Sequence, residues 1–600
     1  MDSELRKRGD VPVGDTWDLT RLYQTDEDWN RDFDLWKKLT GTIPTYRGRL
    51  NNADALYEFL NYEEELDKKG ERLGAYVFLK STEDLANTKY QEMKNAFYLV
   101  ANRATEELSF FRPELLSLSE EKWEELLSDE RLAPWKLYLE RILRFRPHSL
   151  SDKEERLIAS MADFADVPSK AFRFLNDAET KFKSVKDESG EERPLTLETF
   201  QVFLHSPDRA ARRAAFENLY SEYEARQNTF ASLLEGSIRK DVFFAKARGF
   251  SSALNASMFV EEVPEQVYRN LLSVVRGALP ALYRYYELRR KLMKLDDVHF
   301  YDVYVPILSD ISVNYTWEQA VEVIGKALAP LGEEYVSTLV KGLTVDRWVD
   351  RYENQNKESG AFSFPCFEAP PYIMTNFKPS LIESVFTLAH EGGHSMHSWY
   401  SAKTQPYHYY DYVIFLAEIA STFNEQLLAR YLLDNADDDK MRAWIINREL
   451  DSMRATIFRQ TMFSEFEFKT HELAENNQQL SAATFRKIYR EILDEYFGPN
   501  FAVDDLLELE CLRIPHFYRG YYVYKYATGL SAAISLADRV LAGGARERDD
   551  YLGFLKAGCS ETPLDILRHA GVDMEKPEPI QAAMNRFERL TDELERLLSK

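Results

Sequence analysis

Little in this 600-residue chain suits a disulfide-stapled, membrane-spanning or nucleic-acid-binding protein. Cys366, Cys511 and Cys559 are its whole cysteine complement, odd in number and far apart. That rules against a disulfide framework and fits a reducing compartment. Long apolar runs are missing, and the opening Met1 to Asp10 has no apolar stretch of the kind a secretory signal carries. Basic charge is short as well: 76 Lys and Arg stand against 100 Asp and Glu, a net charge of −24. Such a surface repels nucleic acid and anionic lipid, so neither is expected as a partner. Internal repeats and low-complexity segments are absent. The expectation is a soluble, cytoplasmic protein whose length is ample for a large core in two or more lobes.

What is present is mostly helical patterning. Met93, Phe97, Val100, Ala104, Leu108 and Phe111 recur at steps of three and four, one apolar stripe of a long helix that Pro113 is expected to stop. Trp17 and Trp123 read as packing anchors. Lys181 to Arg193, centred on Glu188-Ser-Gly190, reads as a hairpin or exposed loop, and a soft boundary is placed near residue 200. Asp208 to Leu292 is helical and highly charged, with Gly249 closing one helix. His299 to Pro306 is rich in β-formers, as either a short strand or extended coil. Prolines exclude helix from Gly360 to Phe377, where Tyr372 to Phe377 suits an edge strand able to pair with an extended peptide.

The chemistry concentrates at His390-Glu391-Gly-Gly-His394. On a helix, histidines four apart lie on one face, so both imidazoles can reach one ion, with Glu391 beside it as a base. Two imidazoles and a carboxylate suit zinc with one position left open. Ser380-Leu-Ile-Glu383 has capping-box spacing where the helix should begin. Gly392 and Gly393 are poor helix formers, so a helix that keeps both is expected to meet another backbone or a substrate closely.

The third ligand must come from elsewhere. The H-E-x-x-H-x-x-G-x-x-H pattern is broken, with His397 at its glycine and Tyr400 at its last histidine. Glu418, Ser421, Thr422 and Glu425 form a polar stripe on an otherwise apolar helix, and a buried carboxylate there needs a partner. Glu418 is the candidate ligand, and Glu425 can accept the free N–H of a ligating histidine. His397 is the rival ligand. It stands about two turns from His390, roughly 10 Å along the axis, and reads instead as a hydrogen-bonding neighbour. Farther on, His516, Tyr518, Tyr521, Tyr522, Tyr524 and Tyr526 crowd eleven residues. Their phenols and imidazole can donate to the oxyanion of a tetrahedral intermediate, although an aromatic core would also use them.

Together, His390-Glu-Gly-Gly-His394-Ser-Met-His397, Glu418-x-x-Ser421 and the His516 to Tyr526 block resemble the oligoendopeptidase F branch of the thimet oligopeptidase family. Trp17-Asp-Leu19, Ala247-Arg-Gly249 and the Gly360 to Phe377 region extend the resemblance over most of the chain. It implies a mostly α, two-lobed helical zincin with a small β element beside the active-site helix and an enclosed substrate channel. Residues 1–200 would form an N-terminal helical domain and 201–600 the catalytic domain. It further implies one Zn2+ held by His390, His394 and Glu418, Glu391 as base, and substrate contacts by His516, Tyr518 and Tyr524, with Tyr521 or Tyr522 as alternatives. The expected activity is hydrolysis of internal bonds in short unstructured peptides. A helical metallocarboxypeptidase or dipeptidyl-carboxypeptidase is the nearest rival, and a non-catalytic peptide-binding scaffold the remoter one.

Overall fold

A computed structural model describes residues 5–308 and 313–599. The chain divides into two compact units, and each is assembled from separated segments. The first takes the described residues of Met1–Ser149, Ser312–Tyr431 and Leu536–Gly571. The second takes those of Leu150–Ile311, Leu432–Ser535 and Val572–Lys600. Helices dominate both. Among the described residues no helix is long and apolar enough to cross a membrane.

The first unit begins as an aromatic helical core. Asp26–Thr40 opens with a Thr25–Asp28 capping box and lays Trp29, Phe33 and Trp36 against Ala53–Glu83. Burying tryptophan requires an acceptor for its N–H. Leu73 and Leu66 carbonyls take those of Trp29 and Trp36, at 3.0 and 2.9 Å. Trp17 and Trp123 are likewise buried, with their N–H groups bonded to Glu83 and to the Leu115 carbonyl. The striped helix is Thr88–Leu108, and it stops before Pro113, which instead lies inside a separate short helix, Phe111–Leu116.

A three-stranded sheet joins this core. Phe362–Phe364 pairs antiparallel with Tyr372–Met374, which pairs parallel with Val349–Asp350. The strand expected at an edge is therefore the central one, fully buried and hydrogen-bonded on both sides. The two-residue strand that occupies its second side carries almost no sequence signal of its own. Phe362–Phe364 and Val349–Asp350 hold the two edges instead.

In the second unit, Val185–Lys186 and Glu192–Arg193 form the expected hairpin, with Gly190 at φ 84° in its turn. Gln227–Ala247 closes at Gly249, φ 73°, where the Phe250 N–H reaches back to the Ala245 carbonyl. Val298–His299 is a strand paired with Phe501–Ala502, and Phe300–Asp302 turns at once into a 3-10 helix. Glu510, wholly buried, is held by Arg459, Arg513 and the Tyr489 hydroxyl, so its charge is compensated in place.

Candidate metal centre and active site

The histidine helix runs from Ile382 to Thr404. Its start is not the expected capping box: Leu381 precedes it without a side-chain cap, and the nearby hydroxyl that acts is Ser384, accepting the Lys378 N–H at 3.0 Å. Ile414–Asp434 carries Glu418. The two helices come together at Gly393, where a Cβ would stand 2.4 Å from the Ala420 carbonyl oxygen and 2.6 Å from the Ser421 Cα. Only glycine allows that approach, so the expected close backbone is the Glu418 helix. Asn424 ties the pair, donating to the Ala389 carbonyl at 3.1 Å and accepting from the Tyr335 hydroxyl.

The crossing brings three donor atoms to one point. Glu418 Oε2 lies 3.5 Å from His390 Nε2 and 3.7 Å from His394 Nε2. Ligands about 2.0–2.1 Å from a tetrahedral zinc stand about 3.3–3.4 Å apart, so the observed spacing fits that ion with little adjustment. Among the described residues no other three His, Cys, Asp or Glu side chains converge this way. Glu425 Oε1 takes the His390 Nδ1–H at 2.8 Å, about two turns beyond Glu418 on the same stripe. That holds the proton on Nδ1, so a metal ion at Nε2 would displace only the proton of that nitrogen. Burial works against a charged His390, yet the hydrogen bond and charge of Glu425 outweigh it and lift the imidazole to about 9. His394 is driven the other way, to about 3, by burial and then by the neighbouring imidazoles.

Glu391 is 7% exposed and lies beside the Ser363 backbone N–H, which favours its charged form. Burial pushes its carboxyl up to about 7, against the opposing charge of His390. Ser363 also meets Ser395 hydroxyl to hydroxyl at 2.8 Å, which locks the strand onto the helix. Ala361, Phe362, Ser363 and Tyr412 line a cavity of about 420 Å³ in front of His390, Glu391, His394 and Glu418.

His397 departs from expectation. Its ring is fully buried, stacked 3.7 Å from Tyr412 and tilted against Phe554, and neither nitrogen has a hydrogen-bond partner among the described residues. It joins neither the donor group nor a hydrogen-bonded shell.

The His516 to Tyr526 block belongs to the second unit. Tyr518 and Tyr524, expected as donors, are both buried. Tyr518 stacks on Phe172 with its hydroxyl enclosed, and the Tyr524 hydroxyl faces Glu261 at 3.4 Å. The accessible groups are His516, Tyr522 and Tyr526, whose rings cluster at 5.5–6.0 Å. Tyr522 and Tyr526 flank the first turn of the Tyr524–Ala542 helix, four residues apart. That spacing was the available signal, hidden because the helix start could not be placed among so many tyrosines. Burial and the charge of Arg519 hold His516 below its usual pKa, so it presents a neutral N–H.

Comparison with known proteins supplies the family. Residues 202–586 match the model of peptidase family M3, and residues 114–182 match that of oligopeptidase F. The chain belongs to peptidase family M3. The oligopeptidase PepF of Bacillus subtilis is 42% identical over 600 residues, covering all of this chain and 89% of that relative. An oligoendopeptidase F homolog of Borreliella burgdorferi is 36% identical, covering 98% and 99% of the two chains. The crystal structure of oligoendopeptidase-F from Enterococcus faecium superposes with a TM-score of 0.75 at 33% identity, over 96% of this chain and 99% of that one. A Chlamydophila abortus protein reaches a TM-score of 0.93 at 37% identity, over 99% and 100%. This M3 peptidase is accordingly a metalloendopeptidase with the mostly helical fold of its family.

Proposed function

We propose that this M3 peptidase hydrolyses internal bonds of short, unstructured peptides, using one zinc ion held by His390, His394 and Glu418. The observation that carries the reading is the convergence of two Nε2 atoms and one carboxylate oxygen at near-tetrahedral spacing beside a buried Glu391. A zinc ion bound there supplies Lewis acidity to a water molecule and to the scissile carbonyl. The chain's own residues do the rest. Glu391, beside the Ser363 N–H, takes the proton of the attacking water and passes it to the leaving amine. Glu425 keeps His390 in the ligating tautomer. The edge strand Phe362–Phe364 replaces Tyr372–Phe377 as the strand that can receive an extended peptide, since Tyr372–Met374 is central and paired on both sides. Of the substrate contacts that the resemblance implies, His516 is accessible and Tyr518 and Tyr524 are buried, while the neighbouring Tyr522 and Tyr526 are partly exposed. Every residue given a role lies between 201 and 600, the span read as catalytic.

Peptides blocked at both ends, cleaved by protein of measured zinc content, test the reading. Internal cleavage of a doubly blocked peptide in proportion to bound zinc is expected. Activity confined to a free C-terminus would leave the carboxypeptidase alternative instead.

A further inference from the structure

Among the described residues that line the cavity in front of His390, Glu391, His394 and Glu418, the one phenol is Tyr412, and it belongs to the same unit as they do. It lies in the short extended link, residues 411–413, between the Tyr407–Tyr410 helix and Ile414–Asp434. Two contacts fix its side chain there. The ring lies flat on His397, with 3.7 Å between centroids and 8° between planes. The hydroxyl meets Ser398 Oγ at 2.8 Å. His397 and Ser398 are neighbours on the histidine helix, so the element that carries two metal ligands also sets the plane and the hydroxyl of this phenol.

Ser398 is the unusual member. A serine or threonine within a helix can turn its hydroxyl back onto a carbonyl three or four residues earlier. Thr404, Ser421 and Thr422 do so on these two helices. Ser398 gives its hydroxyl to the phenol instead. A pair of hydroxyls carries two O–H protons, and only one of them can lie between the two oxygens. Ser398 is 5% exposed and Tyr412 is the more open of the two, so Ser398 donates within the pair and the phenol keeps its own proton for the cavity. Burial holds the phenol above its usual pKa against the Ser398 bond, which keeps it a donor at neutral pH. Ser398 stands four residues past His394, about 6 Å along the helix axis. An extended peptide advances about 3.3 Å per residue, so that offset spans about two residues of substrate.

We propose that Tyr412 is a substrate-binding residue: its hydroxyl, accepting from Ser398, donates to a main-chain carbonyl of the peptide about two residues to one side of the cleaved bond. This rests on the reading that cleavage takes place at His390, His394 and Glu418. A contact to the main chain is blind to side chains, so it serves unstructured peptides of any sequence.

The test uses full-length, zinc-loaded protein and one doubly blocked peptide, prepared also as a set in which single peptide bonds are replaced by thioamides, whose sulfur is the weaker acceptor. Zinc content and melting temperature are recorded for each variant. Tyr412→Phe keeps the ring on His397 and should lower kcat/KM for the all-amide peptide by about three- to tenfold, the scale of one neutral hydrogen bond. A thioamide about two residues from the cleaved bond should slow the wild type by a similar factor and should cost Tyr412→Phe nothing further, because each change removes the same contact. Thioamides elsewhere should cost the two enzymes equally. Ser398→Ala keeps the phenol and should still be slowed by that one thioamide. Full kcat/KM in Tyr412→Phe would overturn the contact. So would losses from Tyr412→Phe and from every thioamide that simply multiply, which is the pattern of a phenol that only packs. Coupling confined to the carbonyl of the cleaved bond would overturn the two-residue placement and make Tyr412 an oxyanion donor. Wild-type cleavage that ignores zinc content would instead overturn the reading of the metal site, and with it the point from which the two residues are counted.

Discussion

At the scale of single residues, the site separates ligand, base and bystander by what each side chain touches. Glu391 meets the Ser363 N–H and lies outside the donor group of His390, His394 and Glu418. Glu391→Gln should therefore keep zinc while kcat falls by roughly 10²–10⁴, the usual contribution of a positioned base. Metal analysis beside a cleavage assay checks both halves, and a variant with most of its turnover left would remove Glu391 from the role. Glu418 and His397 give the complementary pair. Glu418→Ala removes a donor, so zinc affinity should drop by more than the roughly 10–100-fold that the loss of an outlying hydrogen-bond partner costs. His397→Phe keeps the stack on Tyr412 and removes two nitrogens that bond to nothing described, so zinc should stay near one per chain. Competitive titration with a chelator ranks the two. Zinc lost from His397→Phe and kept by Glu418→Ala would exchange their roles. The histidine spacing and the Glu418 stripe were legible because both are periodicities within one helix. The missing hydrogen bonds of His397 were not, since they depend on Tyr412 and Phe554, which no local pattern links to it.

At the scale of elements, the helix crossing rests on a contrast between adjacent glycines. Alanine would favour the helix by roughly 1 kcal/mol at either position. At Gly393 the new Cβ would meet backbone at 2.4 Å, which cannot step aside. Overpacking of this kind costs about 1–3 kcal/mol, so the steric term wins. At Gly392 the nearest atom is the flexible end of Leu339, at 3.3 Å. Gly393→Ala should thus lower both melting temperature and zinc affinity by parting Glu418 from the histidines, whereas Gly392→Ala should be close to neutral. Equal effects would refute the crossing as drawn. The Ala53–Glu83 helix makes a different prediction. Glu63 and Glu71 lie on one face, two turns apart, with Asp67 between them. Burial, then the charge of Asp67, lifts Glu63 to about 8, and burial lifts Glu71 to about 7 against the Phe367 N–H that bonds it. Both folded values exceed the unfolded range near 4.3, so between them the native chain binds protons that the unfolded chain has released. The stabilising contribution is whole below about pH 4 and is lost as pH rises through 7 to 8. The denaturation midpoint of the first unit should fall from pH 6 to pH 8.5, and Glu63→Gln should shrink that fall. An unchanged slope in the variant would show that Glu63 is not the group responsible.

At the scale of the whole molecule, helical class and chemistry were open to reading because they repeat locally, whereas long-range pairing was not. Tyr372–Met374 carries a strand's composition, yet its central place follows from Val349–Asp350, more than twenty residues away and only two residues long. The two units interleave three chain segments each, so no composition shift marks them. Net charge is the one global property that needs no such pairing, and it makes the last prediction. A chain at −24 surrounds itself with a negative potential that raises the local concentration of cationic peptides and lowers that of anionic ones. Take two doubly blocked peptides of equal length with the same residues around the cleaved bond, one ending in lysines and the other in glutamates. At about 10 mM salt the screening length is about 30 Å, and the lysine peptide should have the higher kcat/KM by about tenfold or more. At about 1 M the length shrinks to about 3 Å, and the ratio should approach one. Using the ratio cancels any effect of salt on zinc or on folding, because both peptides meet the same enzyme. A preference that persisted unchanged at high salt would point to short-range contacts at the peptide ends, and a ratio of one throughout would show that the net field does not reach the site.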